Sequence, residues 1–183
     1  MKVWIDVFSG DEMVSDSYKS KLIFNDACLE VQCKYVTVGG AETVDIGAGN
    51  AFGGGEEEAA GGDDGGVTAI NVVHGMQLQE ATLSKKDTMA LLKAYLKRVV
   101  EHLKEKGKDD RVPEFKKGAT EMIKFIMEKF DEMQIFSGVN FDTEAGLAFS
   151  FTKDGEEEPV IMFFNDGLRE EKFWKQNTLA QLK

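Results

Sequence analysis

Cysteine is scarce in this chain of 183 residues: Cys28 and Cys33 are the only two, with four residues between them. Two thiols supply neither a disulfide framework nor a CxxC pair. On one strand their odd separation would turn them to opposite faces, and both read as reduced core or surface thiols. No apolar run approaches the roughly 20 residues of a membrane span. Asp6 interrupts what would be the apolar stretch of an N-terminal signal peptide, so the cytosol is the expected compartment. Histidine is equally rare, with His102 falling between Val99 and Leu103 on a helix and His74 near a strand end. There is no GxSxG elbow, Cys-His signature, HExxH, Walker loop or GxGxxG in a strand-helix setting. With no convergent acid, base or nucleophile, the chain is not expected to be an enzyme.

What is present fits one domain of about 175 residues with a substantial core. The hydrophobic fraction is 42%, and thirteen phenylalanines contribute to it. The formal net charge of −11 opposes non-specific nucleic-acid binding and favours cationic partners. Residues 176–183 form a tail beyond the domain.

Residues 1–38 read as β structure. Met1 to Phe8 is a short apolar segment ended by Ser9-Gly10-Asp11, and Asp11 to Ser17 reads as a loop rich in turn-forming acids. Leu29, Val31, Cys33 and Tyr35 alternate with Glu30, Gln32 and Lys34, the period of a half-buried strand. From 39 to 66 the chain is dominated by glycine and acid, including Gly47 to Glu58 and Asp63-Asp64. Such a composition predicts a long disordered loop. Val67 to His74 and Met76 to Ala81 read as two strands. Ser84 with Asp87 then caps a helix whose apolar stripe runs through Leu92, Tyr95, Leu96, Val99 and Leu103. Gly107 follows its end, and a second helix begins near Asp110 with Pro113 in its first turn. The short connection makes 84–131 a helical hairpin. Met133 to Ser137, the alternation of Leu147, Phe149 and Phe151, and Val160 to Phe164 are strands, the last closed by Asn165-Asp166-Gly167. The order is α+β.

Charge is unevenly spread. From Ser84 to Phe130, 13 Lys and Arg stand against 8 Asp and Glu, whereas the rest of the chain holds 9 against 25. Lys93, Lys97, Lys104, Lys116 and Lys117 therefore either solvate the outer helix faces or form a docking surface for acidic protein segments. Among the acidic groups, Asp131, Glu132, Gln134, Asp142 and Glu144 bracket a short strand and its turn. They are ordinary solvated turn residues, or oxygens that converge on a weakly held calcium ion.

Several segments together resemble the translationally controlled tumour protein family. They are Asp11-Glu12-Met13-Val14-Ser15-Asp16, Leu29-Glu30-Val31, the loop around Gly49-Asn50-Ala51, Leu78-Gln79-Glu80 with Ser84-Lys85, Lys124-Phe125-Ile126 with Phe130, and Met162 to Leu168 with Glu171-Lys172. The resemblance implies a β-tent like that of a chaperone of nucleotide-free Rab GTPases, built of mostly antiparallel strands with a projecting helical hairpin and a mobile acidic loop. It implies a regulatory protein of growth and survival that binds several partners: tubulin or microtubules, apoptosis regulators and a small GTPase. The GTPase contact, linked to nucleotide exchange, would fall on Glu12 with Asp11 and Asp16 beside it. Weak calcium binding would fall on Glu132, Gln134 and Glu144. Secretion without a signal peptide is a further implied attribute. The Rab-binding relative holds zinc on paired CxxC motifs, which this chain lacks, so no zinc is expected. The charge favours a monomer. Phe52 stands where the family usually has serine, Val139 where it has glutamate, and residues 174–183 extend past the usual end.

Overall fold

A computed structural model describes residues 1–39 and 66–172. The expected disordered loop lies almost wholly outside the described residues, and the C-terminal tail wholly so. The elements are β1 (Lys2–Asp6), β2 (Glu12–Ser15), β3 (Ser20–Ile23), β4 (Cys28–Gln32), β5 (Tyr35–Val38), β6 (Val67–Ile70), α1 (Asn71–Gly75), β7 (Gln79–Glu80), α2 (Lys85–Glu105), α3 (Val112–Glu128), β8 (Gln134–Ser137), β9 (Ala148–Thr152), β10 (Pro159–Phe164) and β11 (Leu168–Lys172). Every strand pair is antiparallel, in sheets ordered β11-β1-β2, β3-β4-β10-β9-β8-β7 and β5-β6.

The six-stranded sheet is the middle layer. One face carries Phe149, Phe151, Met162 and Phe164 against Leu92, Tyr95, Val99, Phe115, Met122 and Ile126 of the two long helices. The other carries Leu29, Val31, Ala148, Ile161 and Phe163 against Met13, Val14, Ile70, Val72 and Leu78. Burial on both faces explains why β10 is a continuous apolar run.

Helix α2 starts where the capping pattern places it, with the Ser84 hydroxyl accepting the Asp87 N–H at 3.1 Å. It stops at Gly107, whose φ of +71° suits glycine. Pro113 sits in the first turn of α3. Further on, Gly118 lets α3 cross the turn between β3 and β4 at close range: a Cβ there would stand 2.0 Å from the Phe24 carbonyl oxygen. That turn is unusual. Phe24, Asn25 and Asp26 all have positive φ, at 53°, 52° and 61°, and each such non-glycine residue costs on the order of 1 kcal/mol. It is held by the Phe24 ring packing on Phe125 and by Asn165, which donates its N–H to Ala27 and its side-chain amide to Asp26.

Several sequence expectations need correction. Asp11 to Ser17 is not a loop; it contains β2, with Met13, Val14 and Ser15 all buried. A register shift between Trp4 and Ile5 leaves Met13 as an extra residue, and this bulge destroys the alternation a strand reading needs. The strand from Leu29 to Tyr35 is broken after Gln32, and Tyr35 belongs to a different sheet. Glu30, expected on a wet face, is only 3% exposed and meets Lys153 and Lys21. Val67 to His74 turns helical at Asn71, whose side-chain oxygen accepts the Val72 and Lys34 N–H groups. Only Gln79 and Glu80 remain of the strand expected from Met76 to Ala81. Asn165-Asp166-Gly167 closes β10 where the sequence places it, but the chain beyond it forms a further strand, β11, which pairs with β1 along its length.

The cysteines behave as expected. Cys28 faces the helical side and Cys33 the opposite cluster, and both are free and buried. Burial pushes the Cys28 thiol far above its ordinary range and the Cys33 thiol up to about 12.

Candidate functional site

Two surfaces collect the residues singled out by sequence. The first lies at the bulged end of β2. The bulge turns Glu12 to solvent at the start of β2, whereas Asp16 is exposed past the opposite end of the strand, where its N–H donates to the Lys2 carbonyl at 3.0 Å. Asp11, unlike these two, is not exposed. It is 4% exposed and accepts the backbone and side-chain N–H groups of Asn140. Gly138 packs so tightly on it that a Cβ would lie 2.2 Å from its carboxylate oxygen. Asp11 is thus a positioning residue: it fixes the 138–140 turn beside Glu12. A concavity of ≈ 480 Å³ runs between that turn, Glu12 and the 75–77 segment.

On this turn Val139 is 47% exposed and Phe141 is 53% exposed with a φ of +56°. Both stand on the turn that Asp11 anchors through Asn140. Sequence reading missed them. An isolated apolar residue in a polar turn carries no periodicity, and the only available signal was Val139 in place of the family's acid.

The second surface is the outer side of the helical hairpin. Lys93, Lys97, Lys104, Lys116 and Lys117 are all exposed. Among the described residues none of the five makes an ion pair. On α2, positions 93, 97 and 104 share one face by helical spacing. Between the helices runs a groove of ≈ 350 Å³, with Leu96, Val100 and Phe115 as its apolar floor and Lys97 and Lys116 at its edges. Arg98, by contrast, is committed to the body: it lies over the Phe8 ring at 4.2 Å and donates to the Glu144 carbonyl.

The expected calcium ligands do not come together. Glu132 lies at the end of the sheet near Asp154, where Lys129 reaches within 3.9 Å of Glu132 and 3.8 Å of Asp154. Gln134 pairs with Ser150 at that same end. Glu144 follows the far end of β8, where the chain returns past Arg98 and Asp6. Among the described residues no group of three His, Cys, Asp or Glu is placed to hold a metal ion. Among them, too, no helix is long and apolar enough to cross a membrane.

Comparison with known proteins now adds to this geometry. Residues 1–169 match the family described as "Translationally controlled tumour protein". The chain is similar to translationally-controlled tumor protein homolog 1 of Dictyostelium discoideum, with 36% identity over 94% of this chain and 100% of that protein. It is 33% identical to the homolog of Saccharomyces cerevisiae over 94% of this chain and 99% of the other. The solved structure of p23fyp from Schizosaccharomyces pombe superimposes with a TM-score of 0.76 at 34% identity, covering 94% of this chain and all of that one.

Proposed function

The chain belongs to the translationally controlled tumour protein family, and from that premise we propose that it is a non-catalytic regulatory protein that docks several partners. Its hairpin is the surface for acidic protein segments such as tubulin tails. The observation that carries this reading is the hairpin's array of exposed lysines that make no ion pair among the described residues, on a chain whose net charge is −11. Lysines already paired would lose as much as they gain on meeting a new acid; these lose nothing. The apolar groove between them adds a dry contact that simple solvated lysines do not need. The names of the matched relatives carry no enzymatic activity.

Reversing two charges at the groove, Lys97→Glu with Lys116→Glu, is expected to weaken microtubule co-pelleting by about tenfold or more. Both side chains are exposed, so stability should move by no more than about 0.5 kcal/mol. Removing the acidic tubulin tails should have the same effect on the unmodified protein. Pelleting that ignores both changes would overturn the hairpin reading.

A second reading is favoured by the anchored turn beside Glu12. In it, Glu12, Asp16, Val139 and Phe141 contact a small GTPase and promote release of its nucleotide. The carboxylate of Glu12 would compete with phosphate oxygens for magnesium, which is the chemistry needed to loosen a nucleotide. Glu12→Ala is expected to slow catalysed GDP release from a matched GTPase several-fold; release at the unaltered rate would remove this reading. Binding to apoptosis regulators and activity in the cytosol fit the same multi-partner picture. Calcium is left out of the proposal, because Glu132, Gln134 and Glu144 stand at two ends of the sheet.

A further inference from the structure

A cleft of ≈ 600 Å³ lies where β1 and β11 meet the C-terminal end of α2. Its apolar lining is Trp4, Val7 and Leu168 from the strand side and Leu103 from the helix, with Lys106 and Lys108 at the helix side. His102 and Asn165 add hydrogen-bonding groups. The volume is in the range of a small-molecule site, and the lining combines four apolar side chains with seven polar or charged ones.

The charges in this cleft are not balanced. Its two acids are already engaged: Asp166 is held by the Arg111 guanidinium through both oxygens, at 2.9 and 3.1 Å, and Glu170 has the Lys2 ammonium at 3.8 Å. Arg169 is paired with Glu171. Lys106 and Lys108 make no ion pair among the described residues. The helix end does not offset them with bare carbonyls, because His102, Leu103 and Lys104 already accept the N–H groups of Lys106, Lys108 and Gly107. At physiological ionic strength, charges beyond roughly 8 Å are largely screened, so the acidity of the whole chain does not cancel two local ammonium groups. Trp4 is half-buried, which leaves part of its indole available for stacking.

We infer that this cleft is a binding site for a small aromatic anion, an aryl sulfonate, carboxylate or phosphate whose ring lies against Trp4 and Leu168 and whose charge meets Lys106 and Lys108. The proposal is independent of both docking surfaces.

The test uses the full chain with Trp174→Phe, so that Trp4 is the remaining tryptophan of two. The probes are 1-anilinonaphthalene-8-sulfonate and its uncharged analogue N-phenyl-1-naphthylamine. The sulfonate should bind saturably at one site, with energy transfer from Trp4, and the neutral analogue should bind at least about tenfold more weakly. Lys106→Glu with Lys108→Glu should weaken sulfonate binding by a similar factor, while Lys93→Glu with Lys97→Glu should leave it unchanged. Absence of saturable binding, equal affinity for the neutral probe, or equal loss from both charge reversals would each overturn the assignment.

Discussion

Replacing Gly118 with valine should remove about 3–5 kcal/mol of stability, a large share of the roughly 5–15 kcal/mol that holds an ordinary domain folded. The first atom a Cβ at 118 would meet is the Phe24 carbonyl oxygen at 2.0 Å, and the second is the Ala27 Cβ at 2.8 Å. Neither is the free end of a flexible side chain. To make room, either α3 must lift from the sheet, exposing Phe115, Met122 and Ile126, or the turn at 24–26 must give up its left-handed conformation. Glycine inside a helix costs on the order of 1 kcal/mol against alanine, so its presence here reflects the close approach. Urea unfolding followed by circular dichroism measures the effect. Gly107→Ala is the control: Gly107 has a positive φ, unlike the helical Gly118, but nothing lies within 4 Å of the added methyl, so its loss should stay near 1 kcal/mol. If Gly118→Val unfolds at the same urea concentration as Gly107→Ala, the tight crossing of α3 over the turn is not a source of stability.

Asp6→Ala should be nearly as damaging. Asp6 is buried at the end of β1, and its two carboxylate oxygens accept different partners, Phe8 N–H on one and Gly146 N–H on the other. The second bond fastens the three-stranded sheet to the loop that leads into β9. Alanine strands both donors in a dry site, at about 1–3 kcal/mol each, so a loss of about 3 kcal/mol is expected. Asp6→Asn retains one acceptor and should lose roughly half as much.

The pH dependence separates this account from a merely steric one. Burial raises the Asp6 carboxyl above its ordinary value of 3.8, against the opposing pull of its hydrogen bonds. A carboxyl that is raised in the folded state binds its proton more readily there than in the unfolded chain. Wild type should therefore gain stability relative to Asp6→Asn as the pH falls through the folded value, with the gain complete below about 3.8. A gap between the two proteins that does not change with pH would show that the buried carboxyl titrates as if exposed.

The parts of this fold that sequence revealed are those stabilised locally. Ser84, Gly107 and Pro113 mark helix ends because caps and turns act over three or four residues, and the helical stripes show their period directly. The basic hairpin was visible for a similar reason, since its charges lie within one continuous segment. What stayed hidden depends on distant pairing. The strand β11, Leu-Arg-Glu-Glu-Lys, has little apolar alternation and becomes a strand by bonding to β1, at the other end of the chain. Glu30 is buried because Lys153 arrives from β9's far end, and no local pattern announces that. The calcium candidates show the opposite case: Glu132 and Glu144 are near in sequence, but β8 runs between them. Of the acidic trio near the N-terminus, sequence could not distinguish the carboxylate that anchors a turn, Asp11, from the exposed Glu12 and Asp16.

The two thiols on either side of the central sheet have a consequence for how the molecule ages in an oxidising environment. They cannot close on each other, because the sheet itself stands between them, and neither meets an oxidant while both faces are covered. Damage at Cys28 therefore requires the helices to part from the sheet, and damage at Cys33 requires the opposite layer to do so. Each modified thiol is a lasting record of which layer had opened, so the chemistry of a stored or stressed sample preserves a history of motions too brief to observe directly.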